Sequence, residues 1–202
     1  MNRTFLIAII ALLSLVLGWV VMFWQPDTHQ PHSPIPLAGA PTGGDFTLQS
    51  ASGPVSLQDF RGKVVLVYFG YTFCPDICPT SLAFTGQALN ALGQEELAQT
   101  QALFISVDPE RDTLEKLKEY GAFFHTNILG LTGTPEVIAA TARQYGASYR
   151  KQDTGSAGGY VVDHSSSTYV VNPSGKLVAT LQHGTAPAEI VKAIRAAMQE
   201  GH

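Results

Sequence analysis

The hydrophobic pattern opens with one unbroken block. Thr4 to Trp24 is 21 residues long and carries no charge, about the length that crosses a bilayer core, roughly 20 residues. A cleaved signal peptide would have a shorter apolar stretch, about 7–15 residues, followed by a small-x-small cleavage site. Here the block continues through Val20, Val21, Met22, Phe23 and Trp24 with no such site, so it reads as an uncleaved anchor, with Trp19 and Trp24 suited to the far interface. Arg3 and the N-terminal amine precede it, and the first charge after it is Asp27. The positive-inside rule then leaves the N-terminus in the cytoplasm and exports the rest. Gln25 to Gly44 contains Pro26, Pro31, Pro34, Pro36 and Pro41 and reads as an extended, semi-stiff spacer. The pattern thus predicts an anchor over 1–24, a linker over 25–44 and one domain over 45–202.

Within the domain the period alternates between strand and helix. Asp45–Leu48 and Val55–Leu57, split by Ser52-Gly53-Pro54, predict a small hairpin. Val64 to Phe69 is an apolar run rich in Val and aromatics, ended by Gly70, and predicts a central strand. Helical character follows from Ser81 to Leu97, then a strand from Ala102 to Val107 and a helix opening at Asp108–Thr113 and reaching Phe124. Ile128–Leu131 is a short strand, and Thr134-Pro135-Glu136 starts a capped helix that ends at Tyr145-Gly146. Ala147–Gln152 is expected as an edge strand and Thr154–Gly159 as a flexible loop. Thr168–Asn172 and Leu177–Gln182 straddle the turn Pro173-Ser174-Gly175 as a hairpin, and Ala188–Met198 is a closing amphipathic helix. This alternation implies an α/β fold, a thioredoxin-like mixed sheet flanked by helices.

Charge removes one class of function. With 12 basic and 16 acidic side chains the formal charge is −4, and without a basic run the chain is not expected to bind nucleic acid. The chemistry concentrates in two cysteines, Cys74 and Cys78, in Gly70-Tyr71-Thr72-Phe73-Cys74-Pro75-Asp76-Ile77-Cys78-Pro79. They lie where the central strand runs into a helix, at the C-terminal end of a strand where such sheets place their sites. Nearby helix N–H groups favour the thiolate there. The i, i+4 spacing puts both sulfurs on one face. The pair reads either as a dithiol–disulfide couple or as two thiolate ligands for a soft metal. A plain stabilising bridge is disfavoured, because closing so short a loop removes little chain entropy.

A metal would need a third ligand. His29 and His32 fall in the linker and read as solvated; His125 sits at a helix end and His183 at a turn before Gly184. His164, in Val161-Val162-Asp163-His164-Ser165-Ser166-Ser167, precedes the Thr168–Val171 strand. In a thioredoxin-like sheet that loop faces the cysteine turn. Two thiolates and one imidazole suit copper as Cu(I) and Cu(II). Asp76 reads as a turn and partner-contact residue, Asp108 and Asp112 as helix-stabilising, and Asp163 at most as an outer neighbour of His164.

Four segments, Gly70–Pro79, Ser106–Thr113, Ile128–Gly133 and Val162–Ser166, together resemble the Sco/SenC family of membrane-tethered, thioredoxin-fold copper proteins that assist cytochrome c oxidase assembly. The resemblance runs in order from about Gly43 to Met198. It implies copper on Cys74, Cys78 and His164. It also implies delivery of that copper to the copper A centre of oxidase subunit II, or reduction of that centre's cysteines, with a copper donor chaperone as the other partner. Asn172 stands where many relatives carry an acidic residue. The lack of an Arg-rich, Ser-rich presequence favours a bacterial inner membrane, with the domain in the periplasm. The alternative is an anchored thiol–disulfide oxidoreductase. Against it, Ser165-Ser166-Ser167 rather than proline precede the Thr168 strand, and three residues separate the cysteines instead of two. A peroxidase gains support from Thr72, but Pro75 and Cys78 do not suit that mechanism.

Overall fold

The computed structural model describes residues 3–23, 39–156 and 159–200, in two compact units, Met1–Ser33 and Pro34–His202. In the first, α1 (Arg3–Phe23) is a single helix with none of its apolar span buried. At about 1.5 Å per residue its 21 residues extend some 30 Å, long and apolar enough to cross a membrane. Trp24 and residues 25–38, including Asp27, His29 and His32, lie outside the described residues.

The second unit runs β1 (Thr47–Ser50), β2 (Gly53–Ser56), a 3-10 turn (Leu57–Phe60), β3 (Val64–Gly70), α2 (Ile77–Asn90), α3 (Gln94–Ala98), β4 (Thr100–Ser106), α4 (Leu114–Phe124) and β5 (Ile128–Leu131). It continues with α5 (Pro135–Gln144), β6 (Tyr149–Ser156), β7 (Gly159–His164), β8 (Thr168–Val171), β9 (Leu177–Leu181) and α6 (Pro187–Gln199). The main sheet has the order β5-β4-β3-β8-β9. β3 pairs parallel with β4 and antiparallel with β8, so it is the central strand, and all seven of its residues are buried. A strand covered on both faces has no need of alternation, which is why its sequence is a continuous apolar run. Helices α2 and α6 pack together and α6 lies on β3, β8 and β9, while α4 covers β5. α4 comes close because a Cβ at Gly121 would lie 2.6 Å from the Ile128 carbonyl oxygen.

Several expectations are corrected. The helix expected over 81–97 begins earlier, at Ile77, and divides at 91–93, where the Gly93 N–H donates to the Glu96 carboxylate at 3.0 Å and opens α3. α4 starts at Leu114, with Thr113 Oγ1 accepting from the Lys116 N–H at 3.3 Å, so 108–112 is not helix. Asp108 and Asp112 are therefore not its caps: both are buried, and their carboxylates accept from Tyr160 of β7 and from Thr72. The edge strand expected over 147–152 is absent from the main sheet. Instead β6 and β7 form a separate antiparallel pair, and of the loop expected over 154–159 only residues 157–158 fall between them, outside the described residues.

Candidate metal centre

The site is built on the end of β3. Gly70 is its last residue, and a Cβ there would lie 2.6 Å from Cys78 Sγ, so only glycine lets that sulfur pack against the strand. Cys78 sits in the first turn of α2 and is fully buried; Cys74, in the loop before it, is 7% exposed. The entry to the loop is held by Asp112. Its carboxylate accepts from the Thr72 N–H at 3.0 Å, from Thr72 Oγ1 at 2.5 Å and from Ser106 Oγ at 2.6 Å. The loop is thereby pinned to the end of β4, and the Cys74 N–H donates back to the Tyr71 carbonyl at 3.3 Å.

His164 reaches the same point from the other direction. It is the final residue of β7, paired with Tyr149 of β6, and is 3% exposed. Its Nδ1 lies 3.0 Å from the Ser165 carbonyl oxygen. A carbonyl only accepts, so Nδ1 carries a proton there, and Nε2 is the ring nitrogen that faces the sulfurs, 3.2 Å from Cys78 Sγ. Tyr68 and Tyr71 meet the imidazole edge-on, at centroid distances of 6.2 and 5.8 Å, and fix its plane. The hairpin carrying His164 is strapped down. The Tyr160 hydroxyl donates to Asp108 at 2.6 Å, Arg111 Nη1 donates to the Tyr160 carbonyl at 2.9 Å, and the Val162 N–H donates to the Tyr71 hydroxyl at 3.3 Å. Cys74 Sγ, Cys78 Sγ and a ring nitrogen of His164 all lie within 4.8 Å of one another.

The two thiols are driven apart electrostatically. Cys74 is held well below the ordinary thiol range, first by the hydrogen bond from Cys78, then, against burial, by His164 and the N–H groups of Asp76 and Cys78. Burial pushes Cys78 up, and the neighbouring Cys74 sulfur pushes the same way. The two shifts point in opposite directions, Cys74 toward the thiolate and Cys78 toward the protonated thiol. Burial raises Tyr68 as well, and it stays a neutral phenol 3.9 Å from Cys78 Sγ. Two sulfurs and an imidazole nitrogen at this separation form a soft donor set of the kind that suits copper or zinc.

The three residues singled out from the sequence converge, though His164 ends a strand and is not in a loop. Among the described residues the other two histidines of the domain do not join them. His125 Nδ1 accepts from the Asn127 N–H at 3.0 Å, and His183 Nδ1 lies 3.0 Å from Ser81 Oγ. Asp76 is exposed at the α2 N-cap without a side-chain capping bond. Asp163 faces Arg150 across the hairpin, and Asn172 organises the β8–β9 turn by accepting from Ser174 Oγ and the Lys176 N–H. Sequence reasoning missed the supports: Gly70 as a seat for sulfur, Asp112 as a pin, and Tyr160 with Arg111 as a strap. The cue available for Asp112 was its company, since Ser106, Asp108 and Asp112 cluster just past the strand end that borders the cysteine loop.

The SCO1/SenC family pattern matches residues 36–199. Relatives include the mitochondrial SCO2 homolog of Mus musculus, 40% identical over 154 residues, which are 75% of this chain and 60% of that protein. The SCO2-like protein of Rickettsia felis is 33% identical over 199 residues, 94% of this chain and 96% of that one. The chain spans 42–60% of the length of the mammalian and plant relatives it matches. Among solved structures, Arabidopsis thaliana ScoI with copper bound superposes with a TM-score of 0.72 at 34% identity, covering 78% of this chain and 98% of that one. The family is known for copper binding in cytochrome c oxidase assembly. With its mixed sheet and its Cys-Cys-His cluster, the chain belongs to the SCO1/SenC family.

Proposed function

We propose that this protein is a membrane-tethered copper carrier that serves assembly of cytochrome c oxidase. Copper is its cargo, held by Cys74 Sγ, Cys78 Sγ and His164 Nε2, received from a donor chaperone and passed to the copper A centre of oxidase subunit II. The observation that carries this reading is the convergence of the three donor atoms within 4.8 Å, together with the copper bound in the Arabidopsis relative. Cys74 offers a ready thiolate, Cys78 gives up its proton on loading, and the Ser165 carbonyl keeps His164 Nε2 free. Three protein ligands leave room for a thiolate of the recipient, so copper leaves by ligand exchange. The chain is read as an inner-membrane anchor (1–24), a tether (25–44) and a periplasmic copper domain (45–202), with the N-terminus cytoplasmic.

One observation favours a second role for the same pair. Two free cysteines buried side by side are also the reduced state of a dithiol reductant, one that would reduce the recipient's cysteines before metal transfer. His164→Ala separates the two roles. Copper affinity should fall at least a hundredfold, while the Cys74–Cys78 pair still forms and breaks a disulfide. If the reduced wild-type chain binds no copper yet exchanges disulfides, the oxidoreductase reading replaces the carrier.

A further inference from the structure

His164 reaches the centre on a hairpin that belongs to no larger sheet. β6 and β7 pair with each other and with none of the five strands of the main sheet. A two-stranded hairpin alone is at best marginally stable in water. Where its last residue stands therefore depends on the side chains that tie the hairpin to the rest of the domain. Alternate residues of a strand share a face, so Tyr160, Val162 and His164 of β7 lie along one side. At about 3.3 Å per residue, Tyr160 is some 13 Å along that side from the ligand.

The hairpin is fastened at Tyr160. Its hydroxyl donates to Asp108 Oδ1 at 2.6 Å, its ring centroid lies 3.7 Å from the Arg111 guanidinium carbon, and its carbonyl accepts from Arg111 Nη1 at 2.9 Å. Asp108 is fully buried, paired with Arg111 Nε at 2.5 Å, and its own N–H donates to Ser106 Oγ at 3.1 Å. The other ties are weaker. The bond from the Val162 N–H to the Tyr71 hydroxyl is long, at 3.3 Å, and the Lys151–Glu110 ion pair is exposed and contributes little. The turn that receives Tyr160 also holds the other half of the site. Asp112, whose N–H donates to the Asp108 carbonyl at 3.0 Å, pins Thr72, two residues before Cys74. Residues 106–112 thus grip the cysteine loop through Asp112 and the histidine hairpin through Asp108 and Arg111, and the spacing of imidazole and sulfurs is set across them. We propose that Tyr160 is a positioning residue for copper, acting through His164: its bond to Asp108 decides whether the metal is held by three ligands or by the two sulfurs alone. This inference rests on the carrier reading and names what governs retention and release. With the bond made, His164 Nε2 stays 3.2 Å from Cys78 Sγ. With it broken, the hairpin keeps its own ladder but loses its place on the turn. The imidazole withdraws, and a coordination position opens for a donor from the recipient.

The experiment compares wild type, Tyr160→Phe, His164→Ala and the double variant as reduced full-length chains in detergent. Tyr160→Phe removes one hydroxyl and keeps the ring against Arg111. Three-ligand copper needs the docked hairpin and the metal-free chain does not, so affinity follows the docked fraction. Competition with the Cu(I) chelator bathocuproine disulfonate should place Tyr160→Phe about tenfold below wild type, the weight of one hydrogen bond to a charged group. Added to His164→Ala, the same change should shift affinity less than twofold, because no imidazole is left to position. In the copper-free chain, hydrogen exchange at the Val162 amide should speed about tenfold in Tyr160→Phe and depend little on dilute urea, the mark of a local opening. Affinity within twofold of wild type, or an equal loss with and without His164, would overturn the proposal and leave the carrier reading standing. Exchange at Val162 that is unchanged, or that rises steeply with urea as in general unfolding, would overturn it too. A wild-type chain that takes up no Cu(I), or a His164→Ala variant that binds it as tightly as wild type, would sink the carrier site itself, and this inference with it.

Discussion

Replacing Gly70 by alanine perturbs the centre through one added methyl group. That Cβ would lie 2.6 Å from Cys78 Sγ, 2.9 Å from Phe104 Cε2 and 3.0 Å from Tyr68 Cε1, where ordinary contacts are about 3.5–4.0 Å. None of the three neighbours has room to retreat: all are buried, and the Tyr68 and Phe104 rings are stacked with centroids 6.3 Å apart. Gly70 is not among the glycines with positive φ, so alanine meets no backbone strain. It would gain about 0.5–1 kcal/mol from the stiffer unfolded chain. Overpacking of a tight core costs about 1–3 kcal/mol, leaving a net loss of up to about 2.5 kcal/mol. The sulfur must move by about 1 Å, which should lower copper affinity at least tenfold, about 1.4 kcal/mol. Urea unfolding of the reduced chain gives the first quantity and competition with a chelator gives the second. An alanine variant more stable than wild type, with unchanged copper affinity, would refute the assignment of Gly70 as the seat of the Cys78 sulfur.

Two further outcomes follow from the same geometry. With Cys74 depressed and Cys78 raised, copper displaces one proton from the pair. Affinity should then rise about tenfold per pH unit between pH 7 and 8.5, and fall again on acidification. Two ordinary thiols, both protonated below about 8.5, would give a hundredfold rise per unit, and an affinity flat across that range would contradict thiolate ligation. Asp112→Ala removes the acceptor of three hydrogen bonds that join the cysteine loop to β4, and should cost about 3 kcal/mol in chemical denaturation; a loss below about 1 kcal/mol would show the pin to be unnecessary.

The two cysteines, the buried strand before them and the sheet's helical cover were legible because each depends on local pattern. A continuous apolar run, a glycine and a C-P-x-x-C-P turn speak for themselves over a dozen residues. His164 was legible in identity but not in setting: a strand over 147–152 was legible, but its partner is β7, not the main sheet, and the Asp163-His164 end of β7 reads as loop. Gly93 split a helix that periodicity carries through to Leu97. Asp108 and Asp112 resemble helix starters locally; their roles come from Tyr160, 52 residues from Asp108, and Thr72, 40 residues from Asp112. Contacts over such separations leave no periodic trace, so the shell that orients the ligands appears only once the chain is folded.

The central claim is that two sulfurs and one imidazole nitrogen hold a single copper. X-ray absorption at the copper edge of the Cu(I)-loaded chain measures this directly, with His164→Ala alongside. The account predicts one copper per chain with two sulfur ligands and one nitrogen ligand, and loss of the nitrogen in the variant. A wild-type spectrum without nitrogen, or with one that survives in His164→Ala, would contradict it.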